Sequence, residues 1–198
     1  MVDLCKSKNV VLANDAAYLE VSSPGVRPVS LLSMADPERD PVLEFHSLSK
    51  MFNMTGWRIA FAVGNPELID DLARVKESID SGVFTAVQRA AAYALGPAFP
   101  GLLEQVMAPY AGRRGKIVPV LESVGIEVFP SPATFYVWAR VPGGESSIDF
   151  CGRALSEAGI VLTPGLGFGP GGEGWFRISL TARDEDIAEG ARRLGEWL

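Results

Sequence analysis

Four apolar residues in a row, Val10, Val11, Leu12 and Ala13, run straight into Asn14-Asp15-Ala16-Ala17-Tyr18. An unbroken apolar run of this length predicts a strand covered on both faces, and such strands belong to parallel sheets wrapped by helices. The polar residues after it fall at the strand's C-terminal end, where open α/β sheets bind ligands. A loop with Pro24-Gly25 follows, then DPERDP. Residues 42–45 predict a second strand, whose end delivers His46, Ser47, Ser49 and Lys50. Residues 57–63 predict a third, with Trp57, Ile59, Phe61 and Val63 as core.

Helices come next. Pro66 suits a first turn, and Leu68, Ile69, Leu72 and Val75 form one stripe behind it. Residues 84–95 and 102–124 predict two more, the latter kinked by Pro119. The pattern then changes. Short strands are expected at 126–129, 134–139, 160–163 and 175–180, with a helix at 147–158 among them. A closing helix at 187–198 has Thr181 as its expected N-cap. The chain is thus an α/β protein in two parts: residues 1–108 around a mostly parallel sheet, and a smaller α+β part at 109–198.

Composition narrows the function. The net charge is −6 over 198 residues, which argues against a nucleic-acid binder with a basic face. Cys5 and Cys151 lie far apart and make no CxxC pair, so a reduced, cytoplasmic setting is expected. A histidine-rich metal site is excluded, because His46 is the one histidine. No stretch reaches the roughly 18 apolar residues of a membrane span. The opening MVDLCKSKN lacks the apolar core of a signal peptide. It reads as the end of a helix, as if the chain began part-way through a domain.

The chemistry gathers around Lys50. A lysine amine attacks carbonyls only when unprotonated, so a catalytic lysine needs a cationic neighbour or burial. Arg58 is a candidate neighbour. Serine hydroxyls and a guanidinium fork also suit a phosphate monoester. A lysine beside a phosphate cup points to a phosphorylated aldehyde cofactor, pyridoxal phosphate. Asp15 could keep that cofactor's ring nitrogen protonated, as a buried carboxylate does, and Tyr18 could hydrogen-bond its phenolate oxygen. Read alone, Lys50 and Arg58 are solvated cations, Asp15 caps a turn and Tyr18 packs. Gly167 to Gly172 satisfies G-x-G-x-x-G, but a strand is expected after it instead of the helix that a dinucleotide site requires. His46 shows no acidic partner at a telling spacing and reads as a packed or solvent-facing imidazole.

The stretches NDAAY, HSLSKMFNMTGWRIAFAVGN, DSGVFTAVQ, PATFYVWARVP and PGLGFGPGGEGWFRISLT together resemble the class I/II aminotransferases of fold type I, and most of all their LL-diaminopimelate branch. The resemblance implies the C-terminal part of a large pyridoxal-phosphate domain plus the small C-terminal domain. It implies that Lys50 forms the cofactor's imine and shuttles a proton, and that Asp15 holds the ring nitrogen. Tyr18 would serve the phenolate oxygen, Ser47 and Arg58 the phosphate, and Arg177 the substrate's α-carboxylate. Substrates would be an amino acid and a 2-oxo acid, with no nucleic acid or membrane as partner, and the active unit a homodimer.

One departure matters. The family's chain starts well upstream. Its early strands, its glycine-containing phosphate loop, the aromatic residue stacked on the cofactor and an asparagine at the phenolate oxygen have no counterpart here. Only about the C-terminal half is matched, so weak cofactor affinity and little turnover are expected of these residues alone. The alternatives are a non-catalytic remnant or interaction module, and another fold-type-I chemistry such as a C–S lyase.

Overall fold

The computed structural model describes residues 1–23, 25–97 and 99–198; Pro24 of the first loop lies outside them. The chain divides into two compact units, Met1–Val106 and Met107–Leu198.

In the first unit a short helix α1 (Val2–Ser7) precedes strand β1 (Leu12–Asp15). Strand β2 (Val42–Ser47) runs parallel to β1, with Asp15 opposite Phe45. A one-turn helix α2 (Leu48–Met51) leads to β3 (Ala60–Gly64), which runs antiparallel to β2 with Ser47 opposite Ala60. The sheet order is β1-β2-β3. Helices α3 (Pro66–Ile79) and α4 (Thr85–Ala94) follow. Pro66 does open α3, and Asn65 caps it by accepting from the Glu67 and Leu68 amides. Leu48, Met54, Ile59 and Ala91 form a core, with Phe52, Phe61, Val83 and Val87 packed against it. An ion pair of 2.6 Å from Lys6 to Asp40 ties α1 to the segment before β2.

Three expectations need correction here. Residues 10–13 are not covered on both faces: Val10 and Val11 precede β1 and are 51% and 46% exposed. Among the described residues β1 pairs only with β2, so it is an edge strand, and its burial alternates as an edge allows. The third strand begins at Ala60, not at 57. Thr55–Trp57 is a 3-10 turn, and Arg58 has a left-handed backbone (φ 53°) that turns the chain before β3. Trp57 is therefore 49% exposed instead of being core.

The boundary between the units falls inside α5 (Phe99–Ser123), which contains Pro109 and Pro119. The second unit continues with β4 (Tyr136–Arg140), α6 (Ser147–Ala158), β5 (Thr163–Pro164), β6 (Trp175–Ser179) and α7 (Asp184–Trp197). Its antiparallel sheet has the order β4-β6-β5. Alternation divides β4 and β6 between two environments. Val137, Ala139, Phe176 and Ile178 are buried, and Phe176 lies 4.9 Å from Phe150 of α6. Tyr136, Trp138, Trp175 and Arg177 occupy the other, half-buried face.

The expected strand at 126–129 shrinks to a single bridge, Val128 to Ala139, and of that at 160–163 only Thr163 is in a strand, which ends at Pro164. Thr181 is not a cap. Its hydroxyl pairs with Ser179 at 2.8 Å, and α7 starts at Asp184 behind Arg183. Three acids in that first turn, Asp184, Glu185 and Asp186, favour the helix start electrostatically in place of a hydroxyl cap.

Candidate active site

The parallel pairing of β1 and β2 brings Asp15 and Ser47 to the same end of the sheet, and the register puts both on one face. Small residues, Ala13, Ala60 and Ala62, share that face. Asp15 is exposed, not buried, and its Oδ1 accepts a long 3.4 Å bond from the Ala17 amide. The turn that follows brings Tyr18 back, so that the Lys50 Nζ lies 5.8 Å from its ring centroid. Lys50 stands in α2, between buried Ser49 and buried Met51, and is itself half-buried. Ser47 caps that turn, accepting from the Ser49 amide at 3.3 Å. Arg58 is exposed, and its Nη1 donates to the Thr55 carbonyl at 3.0 Å. Lys50, Tyr18, Asp15 and Ser47 are thus drawn together around the ends of β1 and β2. Arg58 stands in the turn that leads into β3.

The opposite face of the same strands holds a polar cluster that sequence reasoning missed. Glu44 is 1% exposed. It accepts from Asn14 (2.9 Å), the Ser30 hydroxyl (2.8 Å) and the Leu31 amide (2.7 Å). His46 Nε2 lies 2.9 Å from the Glu44 Oε1 that Ser30 also meets. Burial pushes the Glu44 carboxyl up, but the bonds from Asn14, Ser30, Leu31 and His46 outweigh it, and the net shift is downward from 4.5. The expectation that His46 lacks an acidic partner is therefore wrong. Two residues apart on a strand is the same-face spacing, and that signal was available in the sequence. His46 also stacks on Phe61 at 4.8 Å. The cluster joins β1, β2 and the 3-10 turn at Leu31–Ser33 directly behind the Asp15 end.

In the second unit, Arg177 of β6 lies under two rings, with its Cζ 4.0 Å from the Tyr136 centroid and 4.5 Å from that of Phe168. Its Nε is buried and has no hydrogen-bond partner among the described residues. The segment Gly167 to Gly172 forms two 3-10 turns and passes into β6, with no helix to present amides to a dinucleotide.

Sequence comparison decides the family. The profile of "Aminotransferase class I and II" matches residues 1–194. The chain belongs to the class I and II aminotransferases. Members of this family depend on pyridoxal phosphate. The LL-diaminopimelate aminotransferase of Nitratidesulfovibrio vulgaris is 45% identical over 197 residues, covering 99% of this chain and 50% of that protein. That of Aquifex aeolicus is 46% identical over 194 residues, covering 98% and 50%. Among solved structures, substrate-bound BacF from Bacillus subtilis superposes with a TM-score of 0.90 at 33% identity, over 99% of this chain and 50% of that one. A probable N-succinyldiaminopimelate aminotransferase from Thermus thermophilus gives 0.86 at 34% identity, over 99% and 52%. The fold is accordingly that of a fold-type-I aminotransferase in part, and the chain spans about half the length of the curated relatives it matches.

Proposed function

We propose that this chain carries the lysine side of a pyridoxal-phosphate-dependent aminotransferase that moves an amino group between an amino acid and a 2-oxo acid. The names of its relatives make LL-diaminopimelate the first amino donor to try. The observation that carries the reading is Lys50, in α2 just past the end of β2, with its Nζ over the Tyr18 ring and Asp15 on the neighbouring strand end.

The donor set fits the cofactor's chemistry. Ser47 offers a hydroxyl and Arg58 a forked cation to a phosphate; Tyr18 offers a phenol to the ring oxygen; Asp15 offers a carboxylate to the ring nitrogen. When bound, pyridoxal phosphate supplies an electron sink for the bond that breaks at the substrate's α-carbon. The chain's own residues hold and move protons around it. Lys50 would take the α-carbon proton and return it, Asp15 would hold a proton at the ring nitrogen, and Arg177 would receive a carboxylate. The reading includes a homodimer and a cytoplasmic setting. No helix among the described residues is long and apolar enough to cross a membrane.

The test is optical. The chain mixed with pyridoxal phosphate is expected to develop the near-ultraviolet or visible band of a lysine-bound cofactor. Lys50→Ala is expected to leave only the spectrum of the free aldehyde. An equal band in Lys50→Ala overturns the assignment.

A further inference from the structure

We infer that Phe168, together with the Ser147–Glu173 latch that braces its loop, positions Arg177 for an edge-on carboxylate. This rests on the reading of Arg177 as the carboxylate-binding group.

The backbone around Phe168 is tightly determined. A Cβ added at Gly165 would fall inside the Gly172 carbonyl oxygen, and one added at Gly172 inside that of Gly165. The loop therefore crosses itself at two glycines, and it holds Phe168 between them. Ser147, fully buried at the start of α6, donates both its amide (2.7 Å) and its hydroxyl (2.9 Å) to the Glu173 carboxylate. The same hydroxyl accepts from the Leu166 amide at 3.3 Å. Glu173 and Leu166 flank the crossing, so one serine fastens both of its ends. These bonds from Ser147 hold the Glu173 carboxyl below its ordinary range, as a working charged acceptor requires. Trp138 meets Phe168 edge-on at 5.4 Å. Phe168 is 52% exposed and is held from its loop and, through Trp138, from β4.

The consequence falls on Arg177. Rings take up the flat faces of a guanidinium and leave its edge, which carries the N–H donors. The edge here includes Nε, buried and without an acceptor among the described residues. A buried donor left unpaired is destabilising, and a planar carboxylate supplies two acceptors in that plane. The two ring contacts restrain the guanidinium, and a planar carboxylate that reaches its edge would pair with Nε–H and a neighbouring terminal N–H.

The experiment titrates acetate into the 198-residue chain and follows the Arg177 Nε–Hε resonance, assigned by its loss in Arg177→Lys. Phe168→Leu is expected to weaken acetate about fivefold by removing the ring face. Glu173→Gln is expected to weaken it about threefold by loosening the latch. Phe168→Tyr, which restores a ring, is expected to recover at least half of the loss. In the unliganded wild type, the Arg177 Nε order parameter is expected above about 0.6, the upper limit of flexible groups. If acetate never shifts the Arg177 resonance, the carboxylate reading of Arg177 fails. If it does shift, but Phe168→Leu and Glu173→Gln bind acetate as wild type does, or the unliganded Arg177 Nε is mobile, that reading stands and the positioning role is overturned.

Discussion

Glu44 has wider reach than any other polar side chain described in the first unit, because four donors from β1, β2 and the Leu31–Ser33 turn converge on it. Replacing it with Gln keeps the shape but turns one acceptor into a donor facing donors. Glu44→Gln is expected to destabilise the first unit by about 1–3 kcal/mol in denaturant titration. The pH dependence has a definite sign. Its folded carboxyl lies below the ordinary 4.5, so its contribution is complete above 4.5 and is lost as pH falls through the folded value. Wild-type stability is expected to drop more steeply than that of Glu44→Gln on acidification below 4.5, and parallel curves would contradict this. At this scale the sequence was uneven. That Asp15, Tyr18, Ser47 and Lys50 fall at or just beyond strand ends was legible, because polar groups there interrupt apolar runs. Glu44 was not, because an acid inside an apolar run reads as the solvent side of a strand until its four partners are known. Trp57 misled for the opposite reason, since its apolar character does not reveal that the left-handed Arg58 behind it turns the chain outward.

Among the elements, α6 and α7 make a controlled pair. Ser146 caps α6, accepting from the Asp149 amide at 3.1 Å and donating to its carboxylate at 2.7 Å. Thr181 sits before α7, but among the described residues its hydroxyl bonds sideways to Ser179. Ser146→Ala is therefore expected to cost about 1 kcal/mol, and Thr181→Ala less than about 0.5 kcal/mol, by thermal or denaturant unfolding. Equal losses would mean that the start of α7 depends on Thr181 after all. Helices α3, α4, α5 and α6 could be read from the sequence to within a few residues, since periodicity and prolines mark them. Strands in the second unit were harder. Residues 126–129 and 160–163 have strand-like composition, but pairing is a tertiary fact, and β6 takes only Thr163 from the latter, with Pro164 just beyond it. The antiparallel course of β3 was also hidden, because a parallel-sheet reading of β1 and β2 says nothing about the third strand's direction.

For the whole molecule, two features of the first unit bear on assembly. β1 has an open edge among the described residues, and Ile79, Phe84 and Tyr93 are each more than 70% exposed. Open edges and exposed apolar side chains favour association. Sedimentation at micromolar concentration is expected to show a dimer or larger species, and a clean monomer would count against the homodimer. Activity belongs to this scale too. The 198 residues cover about half of each curated relative. Catalytic groups that act as a unit lose most of their effect when members are absent, and Asp15 is exposed here. Turnover by these residues alone is expected far below the ~10 per second usual for enzymes. Restoration on adding the remaining half of a relative's chain would support that view.

The central claim is that Lys50 is the lysine that takes up the cofactor, and chemical trapping tests it most directly. The chain is incubated with pyridoxal phosphate, reduced with borohydride, digested and mapped by mass spectrometry. The structure predicts label concentrated on Lys50, held near Tyr18, with Lys6, Lys8, Lys76 and Lys116 marked only in trace. Label spread evenly over those four and Lys50 would contradict the account.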